Sequence, residues 1–263
     1  MEDLRYYLDG PGEVLIMDST FDASAPDVNK ILCVVTCKTA SFRGDVTEEK
    51  VTGGRSIFPK RKYLTDRSIT FELEDCEMDF RYLSITQGEA IVVGATTAYA
   101  FGEDYQYTID ATTGKVTLPT TPLTDTLVVQ FLDDGTLCTE ATTPAGTGEY
   151  SLSGKELTFT NTDKGKDIKV SYQFTTGSTA KTVSTKTDSL PKTVKLVHKQ
   201  PMFDQDNAVV GHQFIEIYKA QPSGGFEEAY QEKAAFAPKL SFEVLDPKRV
   251  DKKMVDHKIV PVA

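Results

Sequence analysis

The sequence predicts a mainly β protein. The expected core is a β-sandwich or barrel with one or two short α-helices, a long loop, terminal arms and an inserted small β module. Three observations carry this expectation. Apolar and polar residues alternate with period two in short runs along most of the chain, as at 213–219, where Phe214, Glu216 and Tyr218 alternate with Gln213, Ile215 and Ile217. Clusters of Gly, Pro, Asn and Asp separate these runs. Thr, Val and Ile are abundant, which suits pleated, half-buried surfaces.

Taken in order, residues 1–29 read as an arm. A short apolar strand at 14–17 lies between the Gly10-Pro11-Gly12 turn and Ser24-Ala25-Pro26, and an arm of this kind is ordered only by pairing with something else. A strong strand follows at 31–39. Residues 42–67 mix strand signal with a Gly53-Gly54 break and the basic cluster Lys60, Arg61, Lys62, and are read as a solvated loop or hairpin tip that can contact a partner subunit. A strand at 68–73 places Ile69, Phe71 and Leu73 on one face. A short helix is expected over 75–85, with Asp75 as N-cap, Cys76, Phe80 and Leu83 on one face, and Gly88 as its stop. Two strands over 90–110 flank a turn at Gly102-Glu103-Asp104.

Residues 114–176 differ in texture. Short strands at 115–118, 126–132, 149–152, 156–160 and 168–174 are divided by turns such as Asp133-Asp134-Gly135 and Asp163-Lys164-Gly165, the pattern of a small sandwich. The expected division is therefore a core of 1–113 with 177–263, carrying an inserted module of 114–176. Residues 177–192 are polar and linker-like, and strand signal returns at 193–200.

The clearest packed unit spans 211–246. Its strand at 213–219 and its strand at 239–245 bracket a short amphipathic helix. There Phe226, Ala229, Tyr230 and Ala234 share one face, Glu227 and Glu228 sit in the first turn, and Pro238 ends it. The charged tail after Asp246 ends in one more short strand, 258–262.

Composition narrows the function classes. There are 39 acidic and 29 basic residues, a net charge of −10, which argues against wrapping nucleic acid and favours a surface that does not stick to it. No run of about 18 apolar residues occurs, so no transmembrane helix is expected. The acidic N-terminus MEDLRYYLDG does not look like a signal peptide, so synthesis in the cytosol is expected. Cys33 and Cys37 lie on one face of a strand, roughly 13 Å apart, too far for a disulfide, and are read as buried free thiols.

No catalytic signature stands out. His198, His212 and His257 form no H-x-H or H-E-x-x-H arrangement, and neither a nucleophile elbow nor a phosphate loop occurs. Gly224-Gly225 precedes a helix, but Glu227 and Glu228 would repel an anion there. Acidic pairs are numerous enough that some meet glycosidase spacing by chance. No metal, cofactor or catalytic residue is expected.

Two stretches resemble the tail tube proteins of long-tailed bacteriophages: VTGGRSIFPKRKYLTDRSITFELEDCEMDFRYLSITQGEA at 51–90, and FIEIYKAQPSGGFEEAYQEKAAFAPKLSFEVLDP at 214–247. The first is similar to the loop, core strand and helix of that family, the second to its closing strand, short helix and returning strand. The resemblance implies a structural, non-enzymatic virion protein, made in the host cytoplasm and resident in the tail. Six copies would form a ring, rings would stack into a tube, and DNA would pass through the lumen without specific binding. Partners would be other copies of the chain and tail components such as terminator, baseplate or tape measure proteins, with no membrane. Under this resemblance the arms and the 42–67 loop join rings, and Arg55, Lys60, Arg61 and Lys62 are the expected ring-stacking contacts, because a basic patch on an acidic protein needs an acidic partner. The competing readings are a capsid-decoration or baseplate protein, a glycan- or cell-surface-binding sandwich with exposed aromatics on one face, and a hydrolase with a deep carboxylate pocket.

Overall fold

The computed structural model describes residues 7–8, 10–20, 30–52, 58, 61–75, 77, 79–206, 208–223 and 238–261. In chain order the strands are β1 (Tyr7–Leu8), β2 (Glu13–Asp18), β3 (Ile31–Val51) and β4 (Arg61–Asp75), followed by the helix α1 (Arg81–Gln87). Then come β5 (Val92–Val93), β6 (Thr97–Ala100), β7 (Gln106–Thr108), β8 (Lys115–Thr117), β9 (Val128–Phe131), β10 (Thr139–Glu140), β11 (Glu149–Ser153), β12 (Glu156–Phe159), β13 (Asp167–Thr175) and β14 (Lys181–Thr182). The chain ends with β15 (Val194–Phe203), β16 (Val209–Pro222), β17 (Lys239–Val244) and β18 (Val255–Pro261). The fold is mainly β, as expected. Two compact units form: Met1–Ile91 with Val183–Ala263, and Val92–Thr182.

In the first unit the strands run β15-β2-β3-β4-β17-β16, and β16 pairs back onto β15, so six antiparallel strands close on themselves. Closure leaves no open edge where neighbours are present. Alternation fixes the register. Cys33, Val35 and Cys37 of β3 point inward with Val14 and Ile16 of β2, Phe71 and Leu73 of β4, Leu196 of β15, Ile217 of β16 and Phe242 of β17. The Cys33 thiol is free, and Cys33 and Cys37 are both buried. Burial pushes the Cys33 thiol up to about 12, with the Asp79 charge adding to the shift.

The strand near the N-terminus is a correction to the arm reading. β2 lies between β15 and β3, with Val14 and Ile16 fully buried. Its alternation is too short to reveal two distant partners. The helix is also shorter than expected. Asp75 ends β4 instead of capping α1, and its carboxylate accepts a hydrogen bond from the Tyr82 hydroxyl in the core. Asp79 provides the turn into the helix, accepting the Arg81 N–H at 2.8 Å. The buried face is Tyr82, Ser84 and Ile85, with the expected Phe80 and Leu83 only half-buried, and Cys76 lies outside the described residues. Gly88 does stop the helix, in the left-handed conformation (φ 77°) that glycine tolerates. The helix expected at 226–236 lies outside the described residues.

In the second unit two small sheets, β10-β11-β12-β8 and β6-β13-β7 with β9 on β13, share one core. It holds Val116, Leu157 and Phe159 from one sheet and Val129, Phe131, Ile168, Val170 and Tyr172 from the other. β6 and β7 pair with β13, so this unit begins at Val92, ahead of the expected Gly114. β14, in the stretch read as linker, pairs with β5. The Asp133-Asp134-Gly135 turn is present: Gly135 has φ 73° and Asp134 Oδ1 accepts the Thr136 N–H. Asp163 is fully buried. It accepts hydrogen bonds from Gly148 N at 2.8 Å and Thr160 Oγ1 at 2.9 Å, and pairs with Lys166 at 2.7 Å.

Candidate assembly interface

β3 and β4 continue past the barrel as a two-stranded ribbon. β2 covers β3 only as far as Thr36, and β17 covers β4 only from Thr70 onward. Beyond those points the two strands pair with each other alone, from Arg43↔Thr70 to Val51↔Arg61. Among the described residues, the outer edges over 43–51 and 61–69 carry no ladder partner. The stretch 42–67, read as a solvated loop, is therefore strand on both arms where it is described. Charged residues on both faces removed the apolar alternation that usually marks a strand.

Two bulges set which side chains share a face. One lies between Cys37 and Thr39 and the other between Thr47 and Glu48, where β4 carries the extra residue Thr65. After the first bulge the inward series becomes Ala40 and Phe42, and its continuation along the ribbon is Gly44, Val46, Glu48 and Lys50, opposite Ile69, Arg67, Leu64 and Lys62. Val46 is 51% exposed and Leu64 73% exposed. They line an open groove of about 560 Å3 with Glu48, Thr65, Asp66 and Arg67. The opposite face carries Thr47, Glu49 and Val51 across from Asp66, Tyr63 and Arg61, and the Arg61 guanidinium lies 4.6 Å from the Tyr63 ring centre.

Of the expected ring-stacking residues Arg55, Lys60, Arg61 and Lys62, the described ones are Arg61 and Lys62. Arg61 and Lys62 are consecutive in a strand and point to opposite faces. Lys62 pairs with Glu48 across the ribbon at 2.8 Å, and its hydrogen bond holds the Glu48 carboxyl below the usual range. Arg55 and Lys60 lie outside the described residues. The residues that sequence reasoning missed are Val46, Leu64 and Tyr63. Their signal was faint: lone apolar residues inside DVTEEKV and RKYLTDR.

The chain ends near a second surface. β18 pairs with β16 over Gly211–Ile217 and is mostly exposed on its other side. A charged network fastens it: Glu216 pairs with Lys195 at 2.6 Å and with Lys258, Tyr218 donates to Asp256 at 2.7 Å, and Arg249 lies 4.0 Å from the Tyr218 ring centre. His198 is buried in β15, where its Nε2 meets the Pro11 carbonyl at 2.6 Å. His257 is exposed on β18 against Phe42, and His212 is half-buried beside Phe214. Among the described residues no His, Cys, Asp and Glu cluster suits a metal ion, and no helix is long and apolar enough to cross a membrane.

A closed barrel that extends two strands beyond their neighbours has the surface an assembly subunit requires, with free backbone edges flanked by apolar and charged side chains. Comparisons with known proteins identify the family. The family model for the YomU/Tube protein family matches residues 15–256, and the chain belongs to that family of phage tail tube proteins. A tail tube protein of Bacillus phage SPR is 25% identical over 217 residues, covering 82% of this chain and 77% of that protein.

Proposed function

We propose that the protein is the structural subunit of a phage tail tube, assembling with itself into stacked six-membered rings that conduct DNA. The observation that carries this reading is the ribbon. A two-stranded hairpin is at best marginally stable by itself in water, and here, among the described residues, it leaves both backbone edges open over 43–51 and 61–69. A neighbouring copy that supplies strands to those edges satisfies their N–H and C=O groups and covers Val46 and Leu64. Repeated round a ring, this pairing joins each copy to the next without leaving an edge.

In this proposal the ribbon and the terminal strands β1 and β18 join copies within and between rings. Arg55, Lys60, Arg61 and Lys62 sit toward the distal end of the ribbon in sequence and meet acidic surface on a neighbour, which a chain of net charge −10 supplies. The same negative charge lets DNA slide through a lumen unbound. The protein resides in the virion tail and contacts further tail components at the tube ends. The second unit is an appended module, and the protein's role is structural, not enzymatic.

Negative-stain electron microscopy of concentrated protein, with sedimentation velocity alongside, tests this reading. Hollow tubes or six-fold rings are expected. A species that stays monomeric at every concentration, combined with an antibody against the protein that labels no part of the virion tail, would overturn it.

A further inference from the structure

We propose that the second unit carries a saccharide-binding platform on the solvent face of the sheet formed by β6, β13 and β9. The face follows from strand alternation. Ile168, Val170 and Tyr172 of β13 enter the core, so Lys169, Ser171 and Gln173 point outward. On β6, Ala100 is buried and Tyr99 points outward, and Phe101 follows directly. On β9, Val129 and Phe131 are buried while Val128 and Gln130 face out.

Two aromatic rings therefore sit on the water side of a sheet whose core is already filled. Tyr99 is 60% exposed and Phe101 65% exposed, their ring centres are 6.4 Å apart, and their planes differ by 25°. They stack on each other as an exposed aromatic pair. Beside it a shallow cavity of about 240 Å3 is lined by Phe101, Val128, Glu103, Gln130, Lys169 and Ser171. The polar groups are held in place by the fold and retain bonding capacity. Lys169 pairs with Glu103 at 3.2 Å, leaving ammonium protons and a carboxylate oxygen. Ser171 Oγ accepts the Gly102 N–H at 2.9 Å and keeps its own proton to donate. Gln130 donates to the Gly135 carbonyl at 2.5 Å, which leaves its amide oxygen with acceptor capacity.

This combination fits a sugar better than a protein surface. A pyranose presents one face of C–H groups, which stacks on an aromatic plane, and a rim of hydroxyls, which both donate and accept. Protein interfaces place apolar side chains at the centre and charge at the rim. Here the polar side chains Lys169, Glu103, Ser171 and Gln130 share the cavity with only two apolar ones, Phe101 and Val128. The cavity also lies below the usual range for larger organic ligands, about 300–1,000 Å3, in keeping with a single sugar ring of an oligosaccharide. Each site is shallow and open, so single-site affinity is low, and many copies on one assembly would raise it through multivalency.

The test applies full-length protein to an array of hexose and N-acetylhexosamine oligosaccharides, beside the double variant Tyr99→Ala/Phe101→Ala and the single variant Gln130→Ala. Wild-type protein is expected to bind at least one glycan, and the double variant to bind it roughly 10-fold or more weakly. Thermal unfolding of all three proteins should coincide, since the altered side chains lie outside the core. No retention on any glycan, or equal retention of the double variant, would overturn the proposal. Loss of self-association in the double variant without any glycan signal would also overturn it, and would mark the face as a contact between copies. Because these residues lie outside the ribbon, the test does not depend on the tail tube reading.

Discussion

Leu64→Asp separates assembly from folding. Leu64 is 73% exposed on the ribbon, and its cross-strand partner is Glu48. Its side chain contributes little to the isolated fold, so the substitution should change monomer stability by less than about 0.5 kcal/mol. If a neighbouring copy covers it, the remaining apolar surface is worth about 1–2 kcal/mol per contact. Placing a carboxylate there adds the cost of desolvating a charge beside Glu48. Together these effects raise the critical concentration for assembly on the order of 10–100-fold. The assay is pelleting and electron microscopy across a concentration series, with thermal unfolding followed by circular dichroism. Phe242→Ala is the contrasting control: Phe242 is fully buried, so its loss should cost about 3–5 kcal/mol of monomer stability. Unchanged assembly of Leu64→Asp would refute the ribbon as the contact. A large drop in its monomer stability would show that Leu64 is an intramolecular residue after all.

Other outcomes follow from the same structure. Burial pushes the Asp163 carboxyl up, but its bonds to Lys166, Gly148 and Thr160 outweigh this and hold it below the usual range. The stability it lends is whole above the unfolded pKa, about 3.9, and is lost as pH falls through the lower native value, so the second unit should begin to unfold in acid below about pH 4. Asp163→Ala should flatten that dependence in a pH–unfolding series and cost about 2 kcal/mol at neutral pH. The Cys33 thiol, pushed up to about 12, should resist a thiol reagent at pH 8 in native protein and react at the ordinary rate once the chain is unfolded in denaturant. Gly88→Ala should destabilise the first unit by about 2–4 kcal/mol in chemical denaturation, because Gly88 has φ 77° and an added Cβ would run into the Leu190 carbonyl.

Where burial falls on one face of a strand, the sequence was legible almost to the residue. The strands expected at 149–152, 156–160 and 168–174 are β11, β12 and β13, because their buried residues recur every second position. The fold class was legible for the same reason. What escaped was non-local. Nothing in the short run at 14–17 reveals that β15 and β3 flank it. Asp75 has the composition of a helix cap, yet it serves the core through Tyr82, seven residues ahead. The basic run at Lys60 to Lys62 was visible, but strand geometry sends Arg61 and Lys62 to opposite faces, and Glu48 neutralises Lys62 from a strand that ended before the turn. A charge cluster in sequence becomes a patch only if the backbone places it on one side.

The same strand geometry explains why assembly and folding stay separate in one sheet. β2 and β17 have six residues each, whereas β3 has 21 and β4 has 15. The barrel closes only over the length its shortest members can cover, and the surplus of β3 and β4 must leave as ribbon. Exposed ribbon edges invite indiscriminate pairing. Here the surplus carries Glu48, Glu49, Lys50, Arg61, Lys62, Asp66 and Arg67, so a mismatched strand would bring like charges opposite one another, while a matching copy can pair opposite charges and bury Val46 and Leu64 together. Moving charge without changing net charge tests this directly. The exchange Glu48→Lys/Lys62→Glu preserves the cross-ribbon ion pair and its 2.8 Å neighbourhood, so the monomer should melt as wild type does. Its charges toward a neighbour are reversed, so it should fail to co-assemble with wild-type protein. Mixed tubes formed in proportion to the mixture would show that side-chain charge on the ribbon does not select its partner.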